Sequence, residues 1–111
     1  MGLQPVGREW LFTAQTTNAT SPSVLLNYPT GHGIVTAWGT WDGASINLYT
    51  VLADTTQIPV TDPSGDTITF TANSQYPISY FVVGEQLIGI LSNAGGSTSI
   101  NLTVNETASG L

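Results

Sequence analysis

The chain contains no cysteine and no lysine, and it has a single arginine, Arg8, and a single histidine, His32. These gaps remove thiol nucleophiles, Schiff bases, cysteine-zinc sites and multi-histidine metal sites from within one chain. Charge is scarce as well: 7% of the residues are Asp, Glu, Lys or Arg, against roughly 25% in an average soluble protein. The formal net charge is −6 at pH 7, and a surface of that sign repels the phosphates that a DNA- or RNA-binding protein neutralises with Lys and Arg. Nucleic acid and anionic membranes are therefore not expected as partners. Neither a cofactor, a metal nor an enzymatic activity is expected from this inventory. No run of 18 apolar residues is present to span a bilayer, and no basic start leads into an apolar stretch, so no membrane span or signal peptide is expected. The opening Met1-Gly2-Leu3-Gln4-Pro5-Val6 also lacks the Ser or Thr of a myristoylation signal.

What is present points to strands. Hydrophobic residues make up 41% of the chain, and Thr, Ser, Asn and Gly fill the spaces between them, a mixture that suits strands and turns better than exposed helices. The 111 residues are enough for one core. Apolar residues recur at every second position, with β-branched and aromatic residues prominent, which predicts strands near 9–14, 24–28, 33–41, 44–52, 57–60, 67–72, 78–83, 87–92 and 98–104. The intervening Asn18-Ala19-Thr20-Ser21-Pro22, Tyr28-Pro29-Thr30-Gly31, Asp62-Pro63-Ser64-Gly65-Asp66 and Asn93-Ala94-Gly95-Gly96 carry turn residues. The expected fold is all-β, an antiparallel β-sandwich of jelly-roll or immunoglobulin-like type. It would form one domain over 8–111, preceded by an N-terminal arm, 1–7, that reaches a neighbour or frays.

One turn predicts a register. Asp42-Gly43 between alternating runs is a strong signal for a two-residue type I′ hairpin. It sets Trp41 opposite Ala44, Gly39 opposite Ile46, Ala37 opposite Leu48 and Val35 opposite Thr50 on a face expected to enter the core. The other face then joins Trp38 and Tyr49 as diagonal neighbours, with Ile34 and Val51 beside them. That patch has three readings: core covered by a loop such as 18–23, a protein interface, or a platform for sugar stacking. The interface reading takes Trp38, Tyr49, Ile34 and Val51 as contacts to another protomer or partner, with the segment up to Trp10 as a second contact.

Other candidates have plainer readings. Asp62 and Asp66 offer carboxylates of a kind that binds Ca²⁺, but they are too few oxygens for a site and fit an ordinary turn. His32 has no nucleophile beside it in sequence, and Arg8 is placed to make an exposed ion pair of small effect. The sequons at Asn18, Asn101 and Asn105 are what a chain rich in Asn, Ser and Thr produces by chance.

The stretches Gly39-Thr40-Trp41-Asp42-Gly43-Ala44-Ser45-Ile46-Asn47-Leu48, Asp62-Pro63-Ser64-Gly65 and Gly95-Gly96-Ser97-Thr98-Ser99-Ile100-Asn101-Leu102 give the chain its likeness to a family. Over residues 38–104 it resembles small virion proteins of tailed bacteriophages, specifically capsid cement or decoration proteins. The resemblance implies a β-sandwich or jelly-roll on the outside of the head, often a trimer at local three-fold positions, that locks neighbouring major capsid subunits together. A tail or fibre module and a carbohydrate-binding module are the alternatives.

Overall fold

Alternation of apolar with polar residues resolves into strands throughout residues 5–26, 32–62, 64–79 and 85–107, which the computed structural model describes. The strands are β1 (Pro5–Gln15), β2 (Ala19–Thr20), β3 (Val24–Leu26), β4 (His32–Thr40), β5 (Ser45–Val51), β6 (Gln57–Pro59), β7 (Thr69–Phe70), β8 (Ser74–Ser79), β9 (Glu85–Ser92) and β10 (Ser99–Thr107). Of the expected N-terminal arm, residues from Pro5 onward are already part of β1, where Pro5 pairs with Thr107 and Gly7 with Glu106. Residues 1–4 lie outside the described part.

The strands form two antiparallel sheets. The first has the order β1-β10-β4-β8; in the second, β9 and β5 are central, with β2 and β3 along the far side of β9 and β6 and β7 along the far side of β5. Each of these outer pairs is one interrupted strand. β2 meets Leu91 and Ile90, and β3 continues at Leu87, Gln86 and Glu85. β6 meets β5 from Val51 to Tyr49, and β7 resumes at Asn47 and Ile46 after an excursion closed by the Thr61–Thr67 bridge. With the interruptions joined, the chain changes sheet at every connection except the one from β5 to β6, which stays in the second sheet. The order is that of a jelly-roll, which decides between the two sandwich types expected.

The turn at Asp42-Gly43 forms, but not as a hairpin. Asp42 (φ 47°) and Gly43 (φ 84°) both take positive φ, and the Ala44 amide donates to the Trp41 carbonyl at 2.9 Å. This is the expected type I′ chemistry. The flanking strands nevertheless part, β4 pairing with β10 and β8, and β5 pairing with β9, β6 and β7. The expected register between β4 and β5 is therefore wrong, although the inward side of each strand was read correctly. Val35, Ala37, Ile46 and Leu48 are all fully buried, in a core shared by the two sheets. Period-two alternation says which side of a strand is buried, and strands facing each other across a core satisfy it as well as strands side by side.

Two glycines fit this arrangement. Gly39 has φ 141°, and a Cβ there would overlap the Ser99 carbonyl oxygen of the neighbouring β10. At Gly89 a Cβ would come within 2.5 Å of Leu102 Cδ2 from the opposite sheet, so the missing side chain lets the two layers close at mid-core. The turn between the sheets is held by the loop before β10. The Ser97 amide donates to Asp42 Oδ2 at 2.8 Å, the Thr98 hydroxyl to the Trp41 carbonyl at 2.9 Å, and the Trp41 indole N–H to Asn73 Oδ1 at 2.9 Å.

The open edges are blunted without lysine. β1 carries register shifts along its pairing with β10, β8 contains Pro77, and the second sheet ends in strands of two or three residues on both sides. Bulges, proline and short edge strands all discourage pairing with another chain. β8 also begins earlier than the strand expected near 78–83, because an edge position tolerates the proline in Ser74-Gln75-Tyr76-Pro77.

Candidate functional site

The residues expected to form one interface patch lie on opposite faces of the sandwich. On β4, Gly33, Val35 and Ala37 are buried while Ile34, Thr36 and Trp38 are half-buried, so the latter point away from the core. On β5, Ile46 and Leu48 point inward, and Ser45, Asn47, Tyr49 and Val51 point outward. Because β4 and β5 belong to different sheets, Trp38 and Ile34 stand on the outside of the first sheet, and Tyr49 and Val51 on the outside of the second. The expected Trp38–Tyr49 neighbourhood does not exist.

Trp38 has another aromatic partner. Trp10 on β1 lies opposite Thr103, and Trp38 on β4 lies opposite Asn101, so the two indoles approach each other over the intervening β10. Their ring centroids are 5.6 Å apart, with the planes at 60°, an edge-to-face arrangement suited to the ring quadrupoles. Trp10 is 47% exposed. Thr103, on the outward side of β10 between Leu102 and Val104, is 1% exposed, and its Oγ1 has no hydrogen-bond partner. Leaving a buried hydroxyl unsatisfied costs about 1–3 kcal/mol, and among the described residues this is the buried side-chain polar atom that has no partner. Next to it, Gln75 Nε2 donates to Thr36 Oγ1 at 3.1 Å, and Asn101 Oδ1 accepts from the Ala14 amide at 3.0 Å. The described side chains of this face, Trp10, Thr36, Trp38, Gln75, Asn101 and Thr103 with Ile34 at one end, carry no charge.

The outer face of the second sheet is more apolar. Tyr49 is directly opposite Ile88, Asn47 opposite Ile90, and Val51 opposite Gln86, which in turn faces Leu25 on β3. Ile88 is 5% exposed yet stands apart from the core cluster, while Leu25 is 49% exposed. The sequence reading missed Ile88, Ile90 and Leu25. The signal for the two isoleucines was the run Leu87-Ile88-Gly89-Ile90-Leu91, which is apolar on both sides of the strand instead of alternating.

The remaining candidates have structural roles. Asp62 Oδ1 accepts from the amides of Ser64 at 2.9 Å and Asp66 at 3.0 Å, closing its own turn. Among the described residues no group of three or more His, Cys, Asp or Glu could hold a metal ion. Asn18 Oδ1 accepts from the Ala94 amide at 2.8 Å, so the amides of two sequon residues, Asn18 and Asn101, brace loops and strands. Asp54 sits in the turn after β5, where hydrogen bonds from the Thr56 hydroxyl and amide hold its carboxyl below the ordinary 3.8. The side chains of Arg8 and His32 lie outside the described part.

Comparison with known proteins agrees at the level of architecture. No protein-family description matches the chain, and no curated protein matches it in sequence. The crystal structure of SPBc2 prophage-derived protein YomS superposes on it with a TM-score of 0.72, covering 96% of each chain at 9% identity. At that identity the two share a fold. The neighbour itself is a prophage-derived protein.

Proposed function

We propose that this chain is a non-enzymatic structural protein of a phage virion that seats on the outside of the capsid and cements neighbouring major capsid subunits, acting as a trimer. The observation that carries the reading is the outward apolar strip of the second sheet, where half-buried Tyr49, Val51 and Ile90 lie on the two central strands above the buried Ile88, with Leu25, 49% exposed, on β3 beside them. An uncharged apolar sheet face of this kind is the sort of surface that a partner covers. Sequence resemblance to capsid decoration proteins supplies the partner, and a jelly-roll shared with a prophage-derived protein supports it. A cement protein bridges several subunits at once, so contacts of modest strength add through effective concentration. Trimerisation rests here on the resemblance to capsid decoration proteins, since the strip is assigned to the capsid and the open sheet edges are blunted.

The test is a mass in solution by light scattering, followed by mixing with purified shells that lack the protein. A trimer that sediments with the shells and raises their melting temperature is the expected result. A monomer left in the supernatant removes the cement reading and favours a tail or fibre module.

A further inference from the structure

We propose that the outer face of the first sheet, opposite the strip assigned to capsid docking, binds a neutral carbohydrate chain. The half-exposed Trp10 ring, braced edge-to-face by Trp38, is the stacking surface, and Thr103, Asn101 and Gln75 supply the hydrogen bonds that orient the sugar.

The two indoles are set apart from Trp41, the remaining tryptophan. Trp41 packs against the core and donates its ring N–H to Asn73 at 2.9 Å. Trp10 and Trp38 meet over the outside of β10, and neither indole N–H has a hydrogen-bond partner among the described residues. Directly opposite Trp10 on β10 lies a hydroxyl: Thr103, 1% exposed and without a partner. A buried polar group left unpaired calls for an explanation, and a ligand hydroxyl that reaches it beside the half-exposed Trp10 ring provides one.

The surrounding groups have spare capacity of the right kind. Asn101 uses Oδ1 on the Ala14 amide and keeps its Nδ2 donors, while Gln75 uses Nε2 on Thr36 and keeps Oε1 as an acceptor. Aromatic faces with amides and hydroxyls beside them match a pyranose, whose C–H face is apolar and whose rim carries hydroxyls that both donate and accept. The C–H groups meet the negative face of the indole ring. Net charge selects among sugars: a chain with a formal charge of −6 repels an anionic polymer and is indifferent to a neutral one.

The test is native electrophoresis of the full chain through gels containing amylose, dextran, mannan or mixed-linkage β-glucan, with alginate as the anionic control. Tryptophan fluorescence titration with an oligosaccharide of the retarding polymer follows. Retardation is expected in at least one neutral gel and not in alginate. Trp10→Ala is expected to weaken binding at least tenfold and Thr103→Val about fivefold, both with an unchanged circular dichroism spectrum. Migration unaltered in every neutral gel, equal retardation in alginate, or variants that bind as the wild type does would each overturn the proposal. It also falls if Trp10→Ala abolishes attachment to shells without affecting any sugar, because the face is then a protein interface. Capsid docking is read separately through Val51, so either assignment can fail alone.

Discussion

Thr103→Val should stabilise the protein, against the usual direction for a change at a 1% exposed position. Valine keeps the β-branch and nearly the same shape, so the packing beneath Trp10 and Trp38 is retained. What is removed is a hydroxyl with no partner, whose unsatisfied burial costs about 1–3 kcal/mol. Allowing for imperfect packing, the net gain should be about 1 kcal/mol, which for a domain of this size is a rise in Tm of about 4 °C. Thr36→Val is the control. Its hydroxyl accepts from Gln75 Nε2 at 3.1 Å, so the same chemical change there should cost about 0.5–1.5 kcal/mol. Urea and thermal unfolding of the two variants give the comparison. If Thr103→Val is neutral or destabilising, its hydroxyl has a partner in the free protein, and the reasoning about this face is refuted.

Gly89→Ala places a methyl within 2.5 Å of Leu102 Cδ2 in a fully buried layer and should cost about 1–3 kcal/mol by overpacking, measured by urea unfolding. Asp42→Gly suits the positive φ at that turn but removes the acceptor of the Ser97 amide, so its cost of about 1–2 kcal/mol isolates that hydrogen bond; Asp42→Ala should cost more because it adds backbone strain. The Asp54 carboxyl, held below its ordinary 3.8 by the Thr56 hydroxyl and amide, stabilises the fold above that pH and loses this contribution as pH falls through the depressed folded value. A carboxyl NMR titration should show the low midpoint, and Thr56→Ala should move it back toward 3.8; a midpoint unmoved by the substitution would contradict the assigned cause.

The burial side of β4 and β5 was legible in the sequence, and the neighbours of those strands were not. Val35, Ala37, Ile46 and Leu48 all read correctly as inward, because alternation reports the face directly. The pairing of β4 with β5 read incorrectly because Asp42-Gly43 encodes a backbone turn and not the fate of the flanking strands. What sends them apart is distant in sequence: β10 beside β4, β9 beside β5, and a clamp from Ser97 and Thr98 onto the turn. The meeting of Trp10 with Trp38 was hidden for the same reason, since both reach it through β10. Ile88 and Ile90 were legible in principle, as apolar residues where alternation called for polar ones, and β2 was too short to show any period.

The central claim is that the outward strip of the second sheet docks this protein to a capsid. The most direct test mixes wild type, Val51→Asp and Trp10→Ala with purified shells lacking the protein, then measures cosedimentation and shell melting temperature. Wild type and Trp10→Ala should bind and stabilise the shells, while Val51→Asp, a half-buried outward position that leaves the core untouched, should stay in the supernatant. Binding retained by Val51→Asp, or absent from the wild type, would contradict the account.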